Sequence, residues 1–301
     1  MQCVRDDHYR GKVFTLAFRR RLIIAIPASM VFDIPHLREK TQRVGMVGRA
    51  AAIFGVNEII IYPDSIDRNQ HLEMKLIGTI LSYIETPQYL RKRLFKLMPE
   101  LQYAGVLPPL RTPHHPLENH SRNLVDGEHR EAAVVAHTKE GTLVDVGVEQ
   151  QALVPDQMLP LGTRVTVSLS KQKGTLGAAV VDRSDIEAYW GYQVTSSDMT
   201  LGKLLKSDRF DLVIGTSKLG KPLYAVSQEL LKRWDASHRI LVVFGAPTRG
   251  LYEIVKQESL DLGDITDFVV NTFPRQEVET VRTEEAVFVA LGTLHLMAAK
   301  G

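Results

Sequence analysis

The chain has 301 residues, of which 44% are hydrophobic and 24% charged, and its formal net charge is +2. This balance is typical of a globular protein with one large domain or two ordinary ones. The charge is too small to indicate nucleic-acid binding by itself. A single cysteine, Cys3, excludes an internal disulfide and a cysteine-based metal site. Since no apolar run approaches the roughly 20 residues of a membrane span, we expect a cytoplasmic protein, or a nuclear one in a eukaryote.

The first part of the chain alternates strand and helix patterns. RLIIAIPASM (21–30) predicts a buried strand rather than a secretion signal, because its apolar run is short and contains Pro27. Helical spacing of apolar residues covers 34–54 and again 66–84, and VNEIIIYP (56–63) predicts a strand between them. This alternation predicts an α/β fold with a mostly parallel sheet.

The pattern then changes to short strands. A linker rich in proline and histidine, 105–120, is followed by the alternating stretches 132–138, 142–148, 163–170 and 175–182. They predict a small inserted OB-like β domain at 113–184, which would split the α/β domain into 1–112 and 185–301. No metal is expected, because the linker histidines lack matching acids or cysteines at ligand spacing.

Three further features have both a structural and a functional interpretation. The basic segment QYLRKRLFKLM (88–98) predicts a helix that is either a solvated face or, with Arg19–Arg21, a contact for RNA phosphates. Trp190 and Tyr192 predict packing against the α/β core, with base stacking as the alternative. Residues 121–184 contain no Phe, Tyr or Trp, so this domain has no aromatic platform for single-stranded RNA.

The stretch DLVIGTSKLGKP (211–222) raises the alternative of a nucleotide triphosphatase. Gly215, Gly220 and Lys221 resemble a phosphate-binding loop between a strand and a helix. Pro222 stands where that loop needs a magnesium-binding hydroxyl, and proline has no N–H to offer a phosphate. We therefore interpret the glycines as a turn beside a ligand, with Pro222 as the first residue of the next helix.

Three consecutive strands near the C-terminus end in loops of small or turn-forming residues. The strands and the helices after them are predicted at 210–216, 222–234, 239–245, 250–258, 267–272 and 283–299. Ligands of open α/β sheets bind beyond the carboxyl ends of strands, so these loops predict a ligand site. Thr283 is expected to cap the last helix.

The loops resemble those of a known family. VVFGAPTRGL (242–251) and NTFPRQEVETVRTEEAVFVAL (271–291) are similar to the SPOUT superfamily of S-adenosylmethionine-dependent RNA methyltransferases. The similarity extends to 49–62, 86–101, 106–116 and 189–194, and is to the archaeal and eukaryotic subfamily with an OB-like insertion. Residues 271–286 also fit the terminal motif of SPOUT enzymes that methylate N3 of uridine.

The resemblance implies a C-terminal trefoil knot, a homodimer and S-adenosyl-L-methionine as cofactor. Carried over residue by residue, the cofactor site comprises Thr216, Gly245, Ala246, Gly250, Asn271, Thr272, Phe273, Pro274, Gln276, Val281 and Thr283.

Loss of the N3 proton would place negative charge on the uracil carbonyls, and a guanidinium is suited to hold it. Arg282 and Arg249 are therefore the catalytic candidates, with phosphate contact or an intersubunit ion pair as their alternative role. Glu279 and Glu285 are candidate bases, although acids at the start of a helix commonly stabilise the helix.

The leading hypothesis is a methyltransferase acting on a base of ribosomal or other structured RNA, with uridine N3 favoured. A catalytically silent RNA-binding or assembly factor with the same fold is the alternative, and a triphosphatase is the third.

Overall fold

The computed structural model of the chain describes residues 20–172 and 174–299, so Cys3 and Arg19 lie outside the described residues. Within this part of the chain, six strands form one parallel sheet and five others form a closed barrel. The predicted α/β class with a parallel sheet and a separate β domain is confirmed. No helix in the described ranges combines the length and apolar character that crossing a bilayer requires.

The elements follow one another along the chain. The strands are β1 (Arg21–Pro27), β2 (Glu58–Tyr62), β3 (His129–Thr138), β4 (Gly141–Asp145), β5 (Ala152–Pro155), β6 (Arg164–Gln172), β7 (Thr175–Val180), β8 (Gln193–Ser196), β9 (Leu212–Pro222), β10 (Arg239–Val243) and β11 (Phe268–Asn271). The helices are α1 (Leu37–Ile53), α2 (His71–Glu85), α3 (Gln88–Leu94), α4 (Leu201–Leu205), α5 (Leu223–Ala236), α6 (Leu251–Lys256) and α7 (Thr283–Ala298).

The sheet has the strand order β11-β9-β10-β1-β2-β8, and every neighbouring pair is parallel. Its central strands are buried on both faces, as their continuous Ile, Leu and Val runs require. One hydrophobic core packs α1, α2, α5 and α7 on one face, and a second packs α4 and α6 on the other. The carboxyl ends of β9, β10 and β11 therefore meet at one edge.

The barrel has the order β3-β4-β5-β7-β6, closed by β3 against β6. All of its pairs are antiparallel except β5 with β7. Its core is a separate cluster of small and branched apolar side chains such as Val134, Val144 and Leu169. This arrangement is consistent with the expected OB-like domain.

Several predicted boundaries were wrong for local reasons. The second helix starts at His71 rather than at 66, because the side chain of Gln70 accepts the backbone N–H groups of Asp64 and Ser65 and holds 64–70 as a turn. The basic helix ends at Leu94 rather than at 98. Phe95 is already extended, and Pro99 disfavours a helical conformation at the residue before it. The short strands β5 and β8 were not predicted.

A buried charge cluster joins the barrel to the sheet unit. Arg164 at the start of β6 donates to Glu85 Oε2 at the end of α2 (2.5 Å) and to Glu131 on β3. Arg183 donates to Glu131 as well (2.7 Å), and both carboxylates are buried. Burial raises the pKa of Glu85, but Arg164, His114 and Arg183 outweigh it, so the pKa falls to about 2. The two units are therefore fixed to each other by fully paired charges.

The predicted linker residues pack into the same junction. His114 Nε2 and His115 Nε2 lie 3.1 and 2.7 Å from the carbonyl oxygen of Glu85. Trp190 Nε1 donates to Glu131 (2.6 Å), and the hydroxyl of Tyr192 donates to the carbonyl of Leu81 (3.2 Å). Both residues are buried. Tyr192 packs in the α/β core as predicted, whereas Trp190 packs at the junction against His114 of the linker and His129 of the barrel.

The basic helix also has a structural role here. Arg91 donates to the carbonyls of Ile84 (2.9 Å) and Thr86 (2.8 Å), and Arg93 pairs with Asp145 of the barrel at 3.0 Å. Both arginines bond to groups at the junction, although Arg93, like Lys92 and Lys96, is exposed.

Candidate functional site

The segment predicted as a turn after the first of the three strands belongs to β9. The pairing of β9 with β11 passes from Gly215 opposite Val269 directly to Lys221 opposite Val270, so residues 216–220 bulge out of the ladder. The strand assignment continues to Pro222, and α5 begins at Leu223. Pro222 is thus the N-cap of the helix rather than its first residue, and the segment is a bulged strand rather than the loop between strand and helix that the phosphate-binding pattern predicts.

Glycine is required where the bulge closes. A Cβ on Gly220 would lie 2.7 Å from the carbonyl oxygen and 2.8 Å from the carbonyl carbon of Val269. The backbones of β9 and β11 therefore approach each other as closely as only glycine permits. The side chain of Asn271, the last residue of β11, donates to the carbonyl of Lys218 in the bulge (3.0 Å). The bulge and the loop after β11 form one connected surface.

The loop after β10 contacts the start of α7. The Thr283 hydroxyl donates to the carbonyl of Gly245 at 3.2 Å. Thr283 is the first helical residue and Arg282 the N-cap, so the prediction that Thr283 caps the helix was wrong. The Thr216 hydroxyl donates to the carbonyl of Val243 at the end of β10 (2.8 Å). Hydroxyl groups from β9 and α7 thus converge on the same strand end.

The loop of residues 244–250 is tight. Ala246 N–H donates to the carbonyl of Arg249 (2.9 Å), and Gly250 N–H donates to Glu253 (3.3 Å). A Cβ on Gly245 would lie 3.3 Å from Leu251 N and 3.4 Å from Arg249 O. Gly250 has an ordinary φ of −72° as the N-cap of α6, so its conformation does not require glycine.

The loop after β11 is held by its own side chains. Asn271 Oδ1 accepts the Phe273 N–H (2.7 Å), and Gln276 Nε2 donates to the carbonyls of Val278 (2.7 Å) and Glu279 (3.0 Å). Phe273 and Val281 are half-buried.

An apolar groove of about 460 Å³ adjoins this loop. Its lining residues are Leu223, Tyr224, Ser227 and Leu231 of α5, Asn271, Thr272 and Pro274 of the loop, and Thr293, Leu296 and Met297 of α7. Three predicted cofactor residues therefore line the groove, and the others lie in the neighbouring loops.

The two predicted catalytic arginines lie in different surroundings and do not hydrogen-bond to each other. Arg282 is exposed, and its backbone N–H donates to Glu285 Oε2 at 2.9 Å. Within the described residues, its side chain forms no hydrogen bond or salt bridge. Glu285 therefore serves the helix start. Glu279 is exposed, and no contact in the described chain marks it as a base.

The neighbouring Glu284 is a buried acid that the sequence did not single out. It pairs with Arg43 of α1 at 3.2 Å. Burial raises its pKa, although Arg43 acts in the opposite direction. This pair fixes the first turn of α7 against α1.

Arg249 instead points toward the ends of β1 and β2. Its guanidinium lies 3.3 Å from Asp64 Oδ2 and 3.2 Å from Gln257 Oε1. Asp64, which follows β2, was missed, although an acid directly after a buried strand is a recognisable signal.

The described residues contain no group of three or more His, Cys, Asp or Glu arranged to hold a metal.

Comparison with known proteins places the chain in a family. A family model described as "Putative RNA methyltransferase" matches residues 21–294. A mouse protein named 28S rRNA (uridine-N(3))-methyltransferase is 32% identical over 95% of this chain and 77% of its own length. A Drosophila melanogaster protein of the same name is 33% identical over 91% of this chain, which spans 61% of that relative. An uncharacterized protein of Haloarcula marismortui is 33% identical over 91% of this chain and 98% of its own. The chain therefore belongs to this family of RNA methyltransferases.

Proposed function

We propose that this protein transfers a methyl group from S-adenosylmethionine to N3 of a uridine in ribosomal RNA. The mouse and fly relatives are named as methyltransferases that act on uridine N3 of 28S rRNA. The observation that carries the proposal is the convergence at the end of β10, where the hydroxyls of Thr216 and Thr283 donate to the carbonyls of Val243, the last strand residue, and Gly245, two residues later. In parallel sheets such strand ends are where ligands bind.

The residues at this edge fit a nucleoside cofactor. The tight loop at Gly245 and the close backbone approach at Gly220 create a surface of main-chain groups. The backbone N–H groups of Gly245 and Thr248 donate no hydrogen bond among the described residues, so both remain available to a heterocycle. The volume of the adjoining groove lies in the usual range for small-molecule sites. The loops 244–250 and 271–276, together with Thr216, Val281 and Thr283, would hold the cofactor.

When bound, S-adenosylmethionine supplies an electrophilic methyl group on a sulfonium. The uridine N3 forms the new bond to carbon, the S–CH₃ electron pair returns to sulfur, and the N3 proton leaves to solvent or a base. The protein contributes mainly by holding the acceptor in attack geometry. The exposed Arg282 is suited to stabilise the negative charge on the uracil carbonyls, because its guanidinium forms no hydrogen bond or salt bridge in the described chain.

The SPOUT fold, with its knot, is the architecture that we propose for the α/β unit. The contact between Thr283 and Gly245 supports it, because it returns the chain after β11 to the loop of an interior strand. The barrel, with its surrounding residues 113–184, would be the inserted OB-like domain. A ribosomal RNA substrate agrees with the expected cytoplasmic or nuclear location.

The apolar groove supports a homodimer. Tyr224 and Leu296, which line it, are 73% and 62% exposed. An apolar surface of this kind on α5 and α7 is suited to a second copy of the chain. Light scattering of wild type and Leu296→Glu tests this, and we expect a dimer for the wild type and a monomer for the variant.

Mapping methylated uridines in total RNA from cells with and without the gene tests the activity. We expect one N3-methyluridine of ribosomal RNA to disappear with the gene. Calorimetric titration with S-adenosylmethionine separates the enzyme from a silent assembly factor, because saturable binding is expected for the enzyme alone.

A further inference from the structure

A polar network lies at the carboxyl ends of β1 and β2, beside the loop after β10. Asp64 is its centre, with its carboxylate fully buried. Ser29 donates to it through its backbone N–H (3.0 Å) and hydroxyl (2.7 Å), and Gln70 Nε2 donates at 2.9 Å. These bonds fix the orientation of the Asp64 carboxylate independently of its contact with an arginine.

Arg249 is the cation of this network. It donates to Asp64 through Nη2 and to Gln257 through Nη1, and Gln257 itself donates to the backbone carbonyl of Asp64 at 3.3 Å. The guanidinium is thus held from two sides, yet the side chain remains 34% exposed. Its Nε–H makes no hydrogen bond in the described chain and stays free for a ligand.

The network is tied to the proposed cofactor loop. The buried hydroxyl of Tyr62, the last residue of β2, donates to the carbonyl of Phe244 at 2.6 Å. Phe244 directly precedes Gly245, so the loop after β10 cannot shift without disturbing the end of β2. Arg249 therefore has a defined position relative to the residues that would hold the methyl donor.

We propose that Asp64 is a positioning residue that aims Arg249 at the acceptor uracil, with the free edge of the guanidinium on a ring carbonyl. This inference rests on the proposed function. A buried carboxylate saturated with donors is a rigid anchor, and a charge-assisted bond to it restricts an otherwise flexible side chain. Asparagine at position 64 keeps the shape but removes the charge that holds Arg249.

The opposite end of the same strand offers a matched control. Glu58, the first residue of β2, is also buried, pairs with the half-exposed Arg209 at 3.0 Å and accepts from Thr195 at 2.9 Å. Glu58→Gln removes the same kind of charge pair from β2 at the end remote from the loops.

The test compares single-turnover methyl transfer from radiolabelled S-adenosylmethionine to total RNA of cells lacking the gene. We expect Asp64→Asn to lower the rate at saturating RNA at least tenfold while the cofactor Kd stays within twofold. Glu58→Gln should remain within twofold of wild type in both. Asp64→Asn combined with Arg249→Ala should be no slower than Arg249→Ala alone, because the two residues act as one unit.

Wild-type turnover by Asp64→Asn, or additive effects in the double variant, would overturn the proposal. If the wild type neither binds the cofactor nor methylates RNA, the proposed function fails instead. A crystal structure of Asp64→Asn then decides the positioning claim. Displacement of the Arg249 guanidinium from Gln257 supports the claim, and an unchanged position refutes it.

Discussion

The junction between barrel and sheet and the edge formed by the strand ends both use arginine–carboxylate pairs, but in opposite ways. At the junction, Arg164 bridges the buried Glu85 and Glu131, and both acids lie inside the protein. At the strand ends, Arg249 is one-third exposed, and the exposed Arg282 side chain forms no hydrogen bond or salt bridge in the described chain.

The difference separates arginines that hold the two units together from those for which we propose a role in methyl transfer. Charged groups whose hydrogen-bonding positions are all occupied by the protein hold two units together but have no free donor or acceptor for a ligand. Guanidinium groups that keep free N–H donors at a strand end can still bind a substrate by donating hydrogen bonds to it. The groups that accept hydrogen bonds from an arginine therefore predict which of the two roles the arginine has.

The largest effect on stability is expected at the junction. Glu131→Ala leaves Glu85 as the only acid facing Arg164 and Arg183 and removes the acceptor of the buried Trp190 Nε1. Breaking one partner of a buried charge cluster should lower the free energy of unfolding by about 3–5 kcal/mol. The exposed pair Arg68–Glu73 (3.1 Å) is the control, and Glu73→Ala should cost at most about 1 kcal/mol. Urea denaturation measures both. Equal losses in the two variants would contradict the comparison.

At the strand ends the expected effect is on rate rather than stability. Arg282→Ala should slow single-turnover methyl transfer at saturating RNA by about 10²–10³-fold, the usual cost of removing one oxyanion-stabilising donor, with an unchanged cofactor Kd. Arg275→Ala, which removes an exposed arginine of the preceding loop, is the control and should change mainly the RNA affinity. If saturating RNA restores the rate of Arg282→Ala, Arg282 only binds phosphate.

Lowering the pH should reduce the free energy of unfolding through His115 at the junction. Burial, and then the neighbouring His114, lower the pKa of His115 to about 4 from 6.5. In the unfolded chain, His115 therefore binds a proton below about pH 6.5. In the folded chain it binds that proton only near pH 4. This contribution to stability is complete above pH 6.5, decreases as the pH falls below 6.5, and is fully lost once the pH has fallen through 4.

The loss amounts to about 2.5 kcal/mol between pH 7 and 4.5. Urea denaturation at both values, followed by Trp190 fluorescence in a Trp234→Phe background, measures it. His115→Gln should lose less stability over the same interval by that amount. An identical pH dependence of the two proteins would rule out His115 as the titrating group.

The smallest effect concerns the bulge of β9. Gly220→Ala places a methyl group 2.7 Å from the Val269 carbonyl oxygen, so β9 or β11 must shift. We expect a loss of about 1–3 kcal/mol in unfolding free energy and weaker cofactor binding. Gly105→Ala meets nothing within 4 Å and should be neutral. If both substitutions are neutral in thermal denaturation, the bulge of β9 does not require glycine at position 220.

Much of the sheet was predictable because its strands are continuous apolar runs. β1, β2, β10 and β11 were each predicted near their observed positions, whereas β9 was predicted only as far as residue 216. The short strands β5 and β8 were missed, since four residues such as Gln193–Ser196 carry no hydrophobic pattern. The pairing that skips 216–220 depends on contacts between distant strands, which no local pattern encodes.

The candidate site was predictable in part. The loops 244–250 and 271–276 were identified from their composition and the family resemblance. The partners of Arg249 were not, because Ser29, Asp64 and Gln257 are far apart in sequence and meet only where strand ends adjoin. The basic helix suggested RNA binding, but the occupied donors of Arg91 and Arg93 appear only once the junction is folded.

A crystal structure with S-adenosylhomocysteine, the demethylated product, tests the location of the methyl donor most directly. The account predicts the adenosine between the loops 244–250 and 271–276. An adenosine bound in the barrel, or crystals that remain empty at saturating concentration, would contradict it.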